Sequence, residues 1–367
     1  MKKSRNAEPP GRIANLQALR GVAVMMVVLF HIATVERKYA GDPILPTWLR
    51  IGESGVDLFF VISGFVMVMV TRGKFAEARA AGWFLYSRGT RIYPVYWLYA
   101  GLAALVYLAQ PAWVNASQGH QVDLLRSFLL LPQEHLPVLL VAWSLVHEMY
   151  FYLVFTLFML APENQLPRLL TGWAAIVAVS ALTWWHPGIA PWARIAAHPL
   201  TLEFIAGACA ALWLPKVSGT HSPARLWSGI TASLLTLAAA YAYGVLDMAA
   251  LPRATVLAVS YGVLVYCAVA LELHFTRRAH GSLVRLGNAS YTIYLSHVLV
   301  LAALGRSWAY AGVAPGPLDN LLWAGMMLVA VVVYGHIGYG RIEKPLVDYF
   351  HRLRRRLREG KRRATSA

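Results

Sequence analysis

The sequence predicts an all-α polytopic integral membrane protein of about ten transmembrane helices, with both termini in the cytoplasm. Three observations carry this prediction. First, 58% of the 367 residues are hydrophobic and only 14% are charged, which is more apolar surface than a soluble fold can hide. Second, apolar runs of about 17–25 residues, long enough to cross a bilayer, recur along the chain. Third, Lys and Arg are concentrated about four to one in the connections on the N-terminal side, as the positive-inside rule expects of cytoplasmic loops. The net charge of +16 is therefore a topology signal, and no nucleic-acid partner is expected. The 13 tryptophans and 18 tyrosines suit aromatic belts at the two membrane interfaces.

In chain order the spans are predicted at 18–35, 54–71, 93–110, 138–160, 168–184, 197–214, 226–245, 253–272, 287–305 and 318–340. The apolar stretch 124–131 is too short to span and is expected to be interfacial or re-entrant. Residues 1–17 form a basic cytoplasmic N-terminus, 18–340 the membrane domain and 341–367 a basic cytoplasmic tail suited to anionic lipid headgroups. With no apolar run and cleavage site near the N-terminus, the first span is expected to insert as an uncleaved anchor. Cys209 and Cys267 each lie within an apolar span and read as packing residues. No internal repeat is visible, and the longest outer loop, 111–137, is too short for a separate domain.

Ionisable residues inside the spans carry the functional signal, because they are costly in hydrocarbon. In LQALRGVAVMMVVLFHI (16–32), Arg20 falls at the water boundary and His31 about 16 Å deeper. The pair reads either as an anchor plus a packed histidine or as a functional site; a proton relay is a further reading for His31. In the second span Asp57 lies near the outer end and either pairs with a basic group or faces a polar, substrate-binding cavity. Ser63 and Gly64 at mid-depth read as packing residues. Arg88 and Arg91, three apart, share a helical face at the cytoplasmic entrance to the third span. They read as topogenic anchors or as a grip for a polyanion such as coenzyme A, since guanidinium binds phosphate bidentately.

Glu148, in AWSLVHEMYFYLVF (142–155), is central in its span and must be neutral, paired or facing water. His147 points to a different face of that helix, and HEMYF lacks the second histidine of a zinc-protease motif. Late in the chain Tyr291, Tyr294 and His297 recur at three-residue spacing on one face. That face either stacks or hydrogen-bonds a sugar or forms an aromatic belt with a satisfied histidine. Glu203 is a further buried carboxylate candidate, Glu272 and His336 are weaker ones, and Glu343 is expected to pair locally with Arg341 or Lys344. There is no Walker-A loop, no nucleophile elbow, no His-x4-Asp motif and no Cys/His cluster, so no metal is expected and chemistry falls to His, Glu, Asp and Arg within the membrane.

These motifs, taken in order, resemble membrane acyltransferase family three. Its bacterial members include exopolysaccharide, O-antigen and Nod-factor O-acetyltransferases, and the likeness is closest to the ExoZ type. The matching stretches are NLQALRGVAVMMVVLFHI with its Arg-x10-His, GVDLFFVISGFVM, RGTRIYPVYW with its Arg-x-x-Arg, WSLVHE and SYTIYLSH. They extend from residue 15 to about 345. The resemblance implies ten core helices in a bacterial inner membrane and transfer of an acyl group, usually acetyl, from cytoplasmic acyl-CoA to a sugar hydroxyl at or beyond the outer face. It implies that Arg88, Arg91 and Arg20 hold the donor phosphates and that His31 acts as general base or acyl relay. Glu148 would orient His31, as a carboxylate orients a catalytic imidazole, and Asp57, Tyr291, Tyr294 and His297 would meet the acceptor. Some relatives carry an extra helix and an outer hydrolase-like domain, and neither is expected here. Acetyl-CoA is thus the expected donor co-substrate. A polysaccharide repeat, a lipid-linked oligosaccharide, a peptidoglycan sugar and a macrolide-like molecule all stay open as acceptors. A proton-coupled transporter of a sugar or lipid-linked intermediate is the competing reading, without the inverted repeats or broken helices it would favour. A sensor or scaffold of the same fold is a third.

Overall fold

The computed structural model describes residues 13–186, 188–214, 222–311, 316–350 and 352–353. Most of the basic N-terminus and of the basic tail lies outside them. Among the described residues the regular structure is helical, with no strand. Its α-helices are α1 (Ala14–Tyr39), α2 (Gly55–Thr71), α3 (Ala78–Ala109), α4 (Leu124–Leu129), α5 (Trp143–Phe158), α6 (Leu166–Thr183), α7 (Pro191–Ala196), α8 (Thr201–Trp213), α9 (Pro223–Ala242), α10 (Ala250–Phe275), α11 (Gly281–Asn288), α12 (Ser290–Ala311) and α13 (Pro317–Gly338). Among the described residues eight helical segments are long and apolar enough to cross a membrane. Every predicted span holds a helix. The two spans outside that set are α9 and α12, of 20 and 22 residues. Their polarity has a structural use. Ser233 of α9 donates to the Ser260 carbonyl of α10 at 2.9 Å, and α12 buries Ser290, Thr292, Ser296 and His297.

Span edges differ most at α3, which starts at Ala78 where the apolar run starts at residue 93. Its 32 residues make a rod of about 48 Å, longer than the ~30 Å hydrocarbon layer. The early turns hold Arg79, Arg88 and Arg91. Polar residues hide such an extension from a hydropathy reading, although the helix itself continues.

The N-terminus of α1 has no capping side chain of its own. Glu272, at the end of α10, accepts from the backbone N–H of Ala14 at 3.0 Å and of Asn15 at 2.7 Å. The Asn15 amide in turn donates to the carbonyls of Ala268 and Arg277 at 2.7 and 2.8 Å. A buried carboxylate here satisfies two orphan donors and faces the positive end of the helix dipole. Two glycines let α2 and α8 cross at contact distance. A Cβ on Gly64 would strike the Phe204 carbonyl, and one on Gly207 the Val61 carbonyl, so the crossing has the small-residue geometry common between membrane helices. Gly64 is therefore the packing residue it was expected to be.

The stretch 124–131 forms only the short α4. The last carbonyls of that helix lack intrahelical donors, and α3 supplies them. Tyr96 donates to Ser127 O at 2.5 Å, Trp97 to Phe128 O at 2.9 Å and Tyr93 to Leu129 O at 2.9 Å. After α13 the helix loosens into one π turn, Tyr339–Glu343. There Glu343 departs from the expected local ion pair. It is buried and accepts from the N–H and hydroxyl of Thr292 at 3.1 and 2.6 Å.

Candidate active site

Five helices enclose a cavity of about 220 Å³. The early turns of α1 and α3 contribute Arg20, Arg88 and Arg91, α2 contributes Ser63, α5 contributes Ser144, Glu148 and Tyr152, and α12 contributes Ser290, Tyr291 and Tyr294. The basic residues cluster at one end. The Nε of Arg20 donates to Ser290 Oγ at 3.3 Å, and Arg20 sits in the fields of Arg91, Glu343 and Glu148. The Nε of Arg88 is buried with no hydrogen-bond partner, and its guanidinium lies 5.7 Å from the Phe84 ring centre. A buried guanidinium N–H left unmade in a cavity wall is a donor awaiting an acceptor.

Glu148 is anchored from two sides. Ser63 donates to its Oε1 at 3.0 Å, and Tyr152, one turn along α5, donates at 2.5 Å. Ser63 is thus a cavity residue, not a packing residue as the sequence suggested. No hydrogen bond joins Glu148 to His31, so the expected orienting contact is absent. The His31 Nδ1 instead lies 2.9 Å from the Val27 carbonyl one turn back.

Behind the Tyr294 wall of the cavity lie two histidines. The Tyr294 hydroxyl pairs with Ser144 Oγ at 2.7 Å and donates to Val141 O at 3.1 Å. Its ring stands 5.8 Å from His297, and His297 meets His31 edge to face at 4.9 Å between centroids. His31 therefore does not line the cavity itself; Tyr294 and His297 stand between. The His297 Nδ1 lies 2.6 Å from the Tyr294 carbonyl. A carbonyl can only accept, so each ring carries its proton on Nδ1, and the Nε2 of the neutral ring keeps its lone pair. In His297 that Nε2 is buried and unpartnered. Tyr291 reaches the wall of α3, donating to Ile92 O at 2.8 Å.

Asp57 is placed elsewhere. It is 2% exposed and receives both Nη atoms of Arg253, at 2.8 and 3.0 Å. Of the two readings for Asp57, the structure realises the basic pair, and Asp57 does not line the arginine-lined cavity. A carboxylate buried between helices holds its charge only against a matching guanidinium. His147 also leaves the site, 4.8 Å from His198 on another face of α5. Both cysteines are free; Cys267 is buried, as expected of a packing residue, whereas Cys209 is exposed on α8. The sequence reading did not single out Tyr152, Ser144, Ser290 or Arg253. Tyr152 and Ser144 each lie four residues from Glu148, a helical spacing that could have found them.

Residues 13–335 match the acyltransferase domain family. The chain is 28% identical over 310 residues to the exopolysaccharide production protein ExoZ of Rhizobium meliloti (strain 1021), covering 81% of this chain and 90% of that one. It is 28% identical over 379 residues to acyltransferase MdmB of Streptomyces mycarofaciens, covering 94% of each. It is 27% identical over 332 residues to nodulation protein 10 of Rhizobium leguminosarum bv. viciae, covering 82% of this chain and 86% of that one. No solved structure matches. The chain belongs to membrane acyltransferase family three, with an ExoZ protein among its relatives.

Proposed function

We propose that this membrane acyltransferase is an O-acetyltransferase that takes its acyl group from cytoplasmic acyl-CoA and passes it to a hydroxyl of a cell-surface or exported carbohydrate. The observation that carries the reading is one cavity that holds three arginines and, packed behind its Tyr294 wall, the rings of His297 and His31. Arg88, Arg91 and Arg20 suit the phosphates of coenzyme A, and the unpartnered Arg88 Nε is a ready donor. The thioester extends inward between Glu148 and Tyr291. The reading also places ten helices across a bacterial inner membrane with both termini in the cytoplasm, so that the arginines open to the donor.

In the transfer, Nε2 of His31 takes the proton of the acceptor hydroxyl. The oxygen attacks the thioester carbonyl carbon, a C–O bond forms and the C–S bond breaks. The thiolate leaves with coenzyme A and receives the proton from the imidazolium. In the relay version, Nε2 attacks the thioester first, the C–S bond breaks and the thiolate leaves; the acceptor oxygen then takes the acyl group as the N–C bond breaks, and the hydroxyl proton goes to the thiolate. Both need a neutral imidazole with its lone pair on Nε2, which the Val27 carbonyl supports by holding the proton on Nδ1. His297 repeats this arrangement beside it and orients the His31 ring.

The test is release of coenzyme A from acetyl-CoA by the purified protein in nanodiscs. Release by the wild type, lost in His31→Ala and weakened in donor affinity in Arg88→Ala/Arg91→Ala, is the expected result. No release and no donor binding, even with candidate glycans present, would return the transporter reading to the front.

A further inference from the structure

Two cavities divide α5 between them. Ser144, Glu148 and Tyr152 face the arginine-lined cavity. Trp143 and His147, about 100° round the helix, face a second cavity of about 260 Å³ that shares no wall residue with the first. The second cavity is lined by the segment 132–137 that leads into α5 and, in the connection between α6 and α8, by Arg194 of α7 and by His198 just after it. Both connections leave the ends of α3 and α6. Because successive helices alternate in direction, that is the end of the bundle opposite the one where α1 and α3 begin with their arginines. Phe60 lines the first cavity, and its ring lies 6.5 Å from Trp143 and 6.2 Å from His147.

The second cavity has the marks of a built site. Gln133 and His147 are 8% and 4% exposed, and Gln133 Nε2 and His147 Nδ1 are both buried without a hydrogen-bond partner. Buried polar atoms are almost always satisfied, so two orphans in one small cavity point to a ligand that supplies the missing partners. Their positions are fixed. The guanidinium of Arg194 donates to the Gln133 carbonyl at 2.7 Å, and the Trp185 indole donates to the Arg194 carbonyl at 3.1 Å. The His198 ring packs edge to face between His147 and Trp185, at 4.8 and 5.0 Å.

The ligand chemistry follows from the groups on offer. Gln133 presents an amide donor, His147 a ring nitrogen that either donates or accepts and Trp143 an indole, while Glu134 and Arg194 add one charge of each sign to the wall. Sugar hydroxyls both donate and accept, and the C–H face of a pyranose packs on an aromatic ring. The volume is just below the roughly 300 Å³ at which small-molecule sites begin, which suits one ring of a longer glycan. We infer that this second cavity is a docking subsite for a neutral pyranose of the acceptor, at the end of the bundle away from the donor arginines. The inference rests on the acyltransferase reading above, and it adds where the glycan is held.

The experiment uses the full chain in nanodiscs and saturation-transfer NMR on three neutral probes, cellotetraose, maltotetraose and xylotetraose, and on one acidic probe, a galacturonate oligomer. Acetyl-CoA binding is measured on the same samples. Ring-proton signals from at least one neutral probe are expected in the wild type. They should fall at least tenfold in Gln133→Leu and in His147→Phe, while acetyl-CoA affinity stays within twofold. The second result shows that both variants are folded. Signals from none of the probes, or signals unchanged in both variants, would overturn the inference. So would binding of galacturonate oligomers in place of neutral ones, which would make the subsite one for an acidic sugar. Loss of acetyl-CoA binding in both variants would mean that the pair is structural, and this too would overturn it. If the wild type binds sugar but neither binds nor turns over acetyl-CoA, the acyltransferase reading fails and the sugar site stands. If it turns over acetyl-CoA but binds no sugar, the reverse holds.

Discussion

His31 on α1 and His297 on α12 meet edge to face at 4.9 Å, and each directs its Nδ1 to a backbone carbonyl of its own helix. Two helices far apart in sequence thus present two imidazoles with lone pairs on Nε2. Replacing His31 with alanine is expected to lower acyl transfer by about 10²–10⁴-fold, the usual loss for a general base. His297→Ala removes only the ring that orients His31, so about a tenfold loss is expected. Single-turnover transfer from acetyl-CoA measures both. A His297→Ala rate within twofold of the wild type would remove His297 from the site.

Glu148 holds Ser63 and Tyr152 through a single oxygen. Groups sharing one network do not contribute independently. Glu148→Gln and Tyr152→Phe should therefore each lower kcat/KM, and the double variant should lose less than the product of the two. A coupling of about 1.5–3 kcal/mol is expected, in the range of a hydrogen bond to a charged group. Strict multiplicativity in a double-mutant cycle would mean that the short contact has no bearing on the reaction.

Arg88 and Arg91 extend from a helix that outruns the hydrocarbon layer. Lysine at both positions keeps the charge but loses the planar fork that meets phosphate oxygens in pairs. The Arg88→Lys/Arg91→Lys variant is expected to raise the KM for acetyl-CoA about tenfold with little change in kcat. An unchanged KM would make the two arginines membrane anchors and no more.

The architecture was legible because hydrocarbon imposes one pattern, about 20 apolar residues, and each predicted span holds a helix. The early turns of α3 were not legible, since hydropathy ends where the layer ends and a helix need not. Within the site, Arg20, Arg88, Arg91 and Glu148 were readable as costly charges near or within apolar runs, and the structure gathers them around one cavity. Asp57 gave the same signal with a different cause. Its cost is met by Arg253, 196 positions away, and such pairing is a tertiary fact that spacing cannot show. The hydroxyl contacts of Tyr294 with Ser144 and of Thr292 with Glu343 were hidden for the same reason.

The Asp57–Arg253 pair gives the last prediction, which concerns stability. Asp57 is 2% exposed while the Arg253 side chain is 16% exposed, so losing either partner strands a charge inside the bundle. A stranded buried charge costs about 3–5 kcal/mol, whereas replacing both partners by apolar groups of similar size is often close to neutral. Asp57→Leu and Arg253→Met are each expected to lower the thermal midpoint sharply, and the double variant to recover most of the loss. Glu203 lies in the field of both groups, so some loss should remain in the double variant. Thermal unfolding in detergent, followed by tryptophan fluorescence, measures the set. A double variant as unstable as the sum of the singles would mean that the two residues act separately. A single Asp57→Leu variant with unchanged stability but impaired transfer would return Asp57 to the substrate-binding role first expected of it.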